Sequence, residues 1–217
     1  MKNLLIISFI MICFINVNGQ KANPYQTKGT KEYEEVTSKL LGQWTISSFS
    51  SNGKEKIGDL YDKAIVEIKD FDEKGKGGVA TFRFTVKRDI IDNRIAIWNK
   101  KETTITIDSY EVISNVDYNI NNKGDIIYFE NQANSVEIIG GGEQLENFQA
   151  KENAFIQSQS SMKNSGGVRN LAGAQLLKSV SGTDFVPTIP GQVNYKDLSD
   201  KSVDFKTILK VEIKLTK

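Results

Sequence analysis

Residues 79–88 read Val79-Ala80-Thr81-Phe82-Arg83-Phe84-Thr85-Val86-Lys87-Arg88, and their alternation decides the fold. In an extended chain successive side chains point to opposite faces. Ala80, Phe82, Phe84 and Val86 therefore share one face, and Thr81, Arg83, Thr85 and Lys87 the other. One face suits a core and the other suits water, which is the pattern of an antiparallel sheet with one buried side. Thr103–Ile107 repeats the scheme, with Ile105 and Ile107 opposed to Thr104 and Thr106.

Outward from this stretch, further runs rich in β-branched and aromatic residues predict strands at Trp44–Ser50, Ala64–Lys69, Arg94–Trp98, Thr103–Tyr110, Val112–Ile120, Asp125–Glu130 and Ser135–Ile139. Asn52-Gly53, Glu73-Lys74-Gly75, Asp92-Asn93 and Asn122-Lys123-Gly124 supply turn chemistry between them, with spacings that suit an up-and-down meander. A helix is expected over Thr30–Leu41: Thr30 caps it, Tyr33, Val36, Leu40 and Leu41 recur at helical spacing, and Gly42 stops it. It would cover one end of the sheet. After Gly140-Gly141-Gly142, read as a hinge out of the sheet, residues 143–200 are rich in Gln, Asn, Ser and Gly. One helical stretch is expected there, near Glu143–Ser158. The alternating run Ser202–Leu215 then predicts a last strand beside an early one.

The fold class expected is all-β in the main: an antiparallel up-and-down β-barrel of about eight to nine strands, with an N-terminal helix and a long, partly helical insertion before the last strand. Residues 1–19 read as a signal peptide, with Lys2 as the positive start, Leu4 to Phe14 as a short apolar run, and Val17-Asn18-Gly19 as the small-residue end. Residues 20–29 form a flexible lead-in, and 30–217 a single domain with the insertion at 143–200. The apolar run is too short to span roughly 30 Å of hydrocarbon, so no transmembrane anchor is expected. Ile12 rather than a small residue precedes Cys13, which disfavours an outer-membrane lipoprotein. The localisation expected is export, to the periplasm or outside the cell.

Loss of the leader takes with it the one cysteine, so neither a disulfide nor a thiolate site is expected in the mature protein. Lys2 leaves too, and of the 28 basic residues 27 remain to face 27 acidic ones. A neutral chain with dispersed charges gives no bulk field for nucleic acid or anionic lipid. There are no histidines, which rules out a Ser-His-Asp triad and the usual histidine-containing zinc site.

Leu41-Gly42-Gln43-Trp44, after a short helix and at the mouth of the first strand, resembles the Gly-x-Trp opening of the lipocalin-like (calycin) domains of exported bacterial proteins. The resemblance implies a barrel with Trp44 closing one end of the core and a basic side chain from the final strand covering its ring. Lys210 and Lys214 stand on that segment, and no arginine does. The motif covers about ten residues, the meander pattern residues 43–139 and 202–215. The long segment 143–200 departs from the compact family.

Asp70-Phe71-Asp72-Glu73-Lys74-Gly75 begins like a calcium loop, but Lys74 occupies a ligand position, so a hairpin tip is the expectation and no metal is assigned. No Asp or Glu stands within an apolar strand face, and neither catalytic residues nor a cofactor are assigned. If the barrel holds a cavity, Phe82, Phe84 and Tyr128 form its apolar, ligand-binding wall, with Arg83 outside. The function expected is that of an exported, non-enzymatic binding protein for a small apolar or amphipathic ligand. The alternative is a cell-envelope structural or protein-interaction module that docks an envelope protein partner through residues 143–200. A third reading, a carboxylate-dependent hydrolase, needs two carboxylates about 5 to 9.5 Å apart in a cleft.

Overall fold

A computed structural model describes residues 28–51, 53–70, 77–98, 104–121, 126–164, 192–194, 202–206 and 211–217. The proposed leader, the Glu73-Lys74-Gly75 turn and residues 165–191 of the insertion lie outside them. The described chain is mostly antiparallel β-sheet with three helices.

Helix α1 (Lys31–Leu40) opens on Thr30, whose hydroxyl accepts the Tyr33 N–H, and buries Tyr33, Val36 and Leu40. Gly42, at φ 114°, adopts a backbone conformation that side chains disfavour and turns the chain straight into β1 (Gly42–Ser51). After the short β2 (Lys54–Glu55) come β3 (Tyr61–Asp70), β4 (Gly77–Val86), helix α2 (Arg88–Trp98), β5 (Thr106–Ile120) and β6 (Ile126–Gly141). Helix α3 (Leu145–Asn164), β7 (Gln192–Asn194), β8 (Ser202–Lys206) and β9 (Val211–Thr216) follow.

All nine strands lie in one sheet, in the order β7-β6-β5-β4-β3-β1-β9-β8, with β2 also paired to β1. The last strand pairs with the first, as the alternation at Leu209–Leu215 led one to expect. The two ends of the order, β7 and β8, approach within 8 Å between Cα atoms, but no ladder joins them among the described residues, so the hydrogen-bonded sheet is open.

Several elements depart from the sequence expectation. Arg94–Trp98, read as a strand with a turn at Asp92-Asn93, is the second half of α2. Helical spacing governs there: Ile91 and Arg94 are buried, and Arg88 pairs with Asp92 one turn on at 2.9 Å. The runs split at Glu111 are one strand, β5, and those split at 131–134 are one strand, β6. Irregularities between Asn115 and Asp117 and between Ile107 and Ser109 absorb the residues that break strict alternation. Ser202–Leu215 is two strands rather than one. The predicted helix of the insertion begins later and runs further, over Leu145–Asn164, and the insertion adds β7, which pairs with the start of β6.

The inner face carries Trp44, Ile46 and Phe49 from β1, Val66 and Ile68 from β3, Phe82 and Phe84 from β4, Val112 and Val116 from β5, and Ile213 and Leu215 from β9. Beyond Tyr128, β6 has no strand on its outer side among the described residues. Helix α3 lies along that edge, where the Asn153 side chain accepts the Val136 N–H at 2.7 Å. A helix covering an unpaired edge blunts its tendency to pair with another chain.

Candidate functional site: the two ends and the interior of the sheet

One end of the sheet is closed by α1. The carbonyls of a helix's last turn lack intrahelical donors. Here the Trp44 indole N–H, donating to Leu40 O at 2.9 Å, supplies one, and Lys217 Nζ lies 3.4 Å from Lys39 O. The same ammonium sits 4.4 Å from the centre of the Trp44 ring. The cover expected from Lys210 or Lys214 thus comes from Lys217. Lys214 is exposed on β9, on the face opposite Ile213 and Leu215, because alternation along the strand carries it away from Trp44; Lys210 lies outside the described residues. Also at this end, Tyr33 donates its hydroxyl to Asp70, which also pairs with Lys28 at 2.9 Å. Burial first, and then the Asp70 hydrogen bond, push the Tyr33 phenol far above its ordinary value.

The interior follows from the registers. Phe82 faces Ser114 across the β4–β5 ladder, and Ser114 faces Asn134 across β5–β6. Phe82 and Phe84 are buried, as the alternation predicted. Phe84 is wedged between Tyr61 (ring centroids 4.9 Å apart) and Phe49 (5.3 Å). Tyr128 lies on β6 opposite Asn119 and Gln192, and its side chain is outside the described residues. Arg83 stands on the other face, where it pairs with Glu111 and Glu137. Ser114 is 0% exposed, and its hydroxyl has no hydrogen-bond partner among the described residues.

At the opposite end, α2 bridges the end of β4 and the start of β5, fastened by Arg88 donating to Ile107 O at 2.6 Å. Beside it three elements place polar groups together. Arg94 of α2 donates through Nε and Nη2 to Glu152 Oε2 of α3, and the Tyr110 hydroxyl of β5 donates to the same oxygen at 2.6 Å. The Phe155 ring lies 4.6 Å from the guanidinium carbon. Arg94 and Glu152 are 6% and 4% exposed. Burial and then the Glu152 charge push the Tyr110 phenol far above its ordinary value, so it stays a donor.

Sequence reading missed this cluster because its members lie 42 and 58 residues apart. One signal was present: Phe148, Glu152 and Ile156 recur every four residues, so a carboxylate sits within the apolar stripe of α3. Among the described residues no group of three or more metal-ligating side chains converges, and no helix is long and apolar enough to cross a membrane. No family model, curated protein or solved structure matches the chain.

Proposed function

We propose that the chain is an exported, non-enzymatic lipocalin-like protein whose sheet curls into a barrel and carries a small apolar or amphipathic molecule. The observation that carries the reading is the inner wall at Ser114. A hydroxyl buried without a partner costs about 1–3 kcal/mol, and that of Ser114, without one among the described residues, faces inward opposite Phe82, among Val112 and Val116. A guest with an apolar body and one hydrogen-bonding group removes that penalty. Phe82 and Phe84 supply the apolar surroundings such sites use. Two further features support the reading: the approach of β7 to β8, and a basic side chain over the tryptophan of the Gly-x-Trp segment.

Titration with decanol, a neutral amphiphile, tests it by calorimetry. Saturable binding of one molecule per chain is expected. Ser114→Ala should weaken decanol about five- to tenfold, the worth of one hydrogen bond, without lowering the unfolding midpoint. Absence of saturable binding, or unchanged affinity in Ser114→Ala, refutes the assignment.

A further inference from the structure

Building on the carrier reading, we infer that Arg94 and Tyr110 form a receptor for the carboxylate of an amphiphilic acid, and that Glu152 is its resident occupant, displaced when a free carboxylate arrives. The geometry of the oxygen is the first ground. Two guanidinium N–H donors and one phenol from separate elements converge on Glu152 Oε2. That is the charge-assisted arrangement by which arginine recognises carboxylates.

The second ground is that stability gives little reason for the arrangement. Glu152 occupies the central position of an otherwise apolar stripe between Phe148 and Ile156. Burying a guanidinium and a carboxylate there strips both of water, and apolar side chains of similar volume often serve a core as well or better. A recognition role accounts for the pair where packing does not.

The third ground is what α3 offers. Within one turn it presents a carboxylate, Glu152, and an apolar surface, Phe155, which lies against the same guanidinium. A ligand with an acid head and a hydrocarbon body has that combination. Tyr110, Val112 and Ser114 follow one another on the inner face of β5. At about 3.3 Å per residue the wall runs roughly 13 Å from Tyr110 to Ser114, so a medium-length chain anchored at Arg94 would lie along it. Helix α3 can yield. It leaves β6 through Gly142, which has φ 109°, and at the strand edge the Asn153 side chain accepts the Val136 N–H.

The test compares decanoate with decanol on the full chain, on Glu152→Gln, and on the double variant Arg94→Met with Glu152→Met, by calorimetry and amide exchange. Decanoate should bind the wild type and speed exchange over residues 145–158. Glu152→Gln should tighten decanoate about tenfold while decanol moves less than about twofold. The double variant, which removes both charges of the cluster together, should lose any preference for decanoate; it decides the matter by itself if Glu152→Gln proves too unstable. Equal responses of the two ligands to the variants, or unchanged exchange over α3 at decanoate saturation, overturn the carboxylate receptor and leave the carrier standing. No binding of either ligand to any of the proteins overturns both.

Discussion

Replacing Trp44 by leucine tests the closed end of the sheet quantitatively. The indole is 1% exposed, donates to Leu40 O, and lies under Lys217. The substitution removes about 60 Å² of buried apolar surface, worth roughly 1.5 kcal/mol at about 25 cal/mol/Å². It also deletes one hydrogen bond, worth about 1–1.5 kcal/mol, and returns a terminal helix carbonyl to an unpaired state. A loss of about 3 kcal/mol follows, which in a chain of this size lowers Tm by roughly 6–12 °C. Lys217→Ala should cost about 1 kcal/mol, from an exposed cation–π contact and a cation at a helix C-terminus. In a double-mutant cycle by urea unfolding the two residues should couple by about 0.5–1 kcal/mol, with the helix-end part of the lysine's effect fading at high salt. A coupling energy of zero, or a Trp44→Leu loss below about 1 kcal/mol, would refute the role assigned to the indole.

Glu55 gathers the Ser48 hydroxyl and the backbone N–H groups of Phe49, Lys56 and Ile57. Burial works to raise its pKa, but these hydrogen bonds together outweigh it and hold the carboxyl below its ordinary value of 4.5. The stability it adds is therefore present above that value and lost as pH falls through the lower folded one. Glu55→Gln should cost about 1 kcal/mol at neutral pH, and urea midpoints should converge with wild type only in acid. At Gly78 an added Cβ would stand 1.9 Å from Lys69 O and 2.8 Å from the Tyr118 ring, so Gly78→Ala should lose about 3 kcal/mol or more by denaturant unfolding. Asn153→Ala should speed amide exchange at Val136 at least about tenfold and cost about 1–2 kcal/mol, since it removes the acceptor on the β6 edge. Arg83→Ala, on the outer face, should change stability by less than about 1 kcal/mol and leave ligand titrations unmoved.

Period-two burial made β4 legible residue by residue, because its neighbours β3 and β5 leave one face for the core and one for water. Thr30 and Gly42 marked α1 just as clearly, since capping and a positive φ are local requirements. Helix α2 was misread because Ile95, Ile97 and Trp98 favour strands individually; its helical state rests on Ile91 and Arg94 burying on one side and Arg88 reaching back to Ile107. The strands expected at Asp125–Glu130 and Ser135–Ile139 left 131–134 between them, but the β5–β6 ladder runs past these residues through a register shift. Of the interior, Phe82 and Phe84 were visible from their own strand. The Arg94–Tyr110–Glu152 cluster was not, because contact between α2, β5 and α3 is settled by the tertiary fold.

The substitution of α3 for a strand along β6 gives the wall an uneven resistance. Between paired strands, opening it means breaking a ladder of many backbone bonds at once; along α3, among the described residues, it means releasing the Asn153–Val136 hydrogen bond, the Arg94–Glu152 cluster and the packing of Phe148 and Ile156. Local opening starts where the fewest cooperative bonds hold, so breathing of the molecule concentrates along this seam. Amide exchange along α3 and the facing edge of β6 should then outpace that at the end of the sheet held by Trp44.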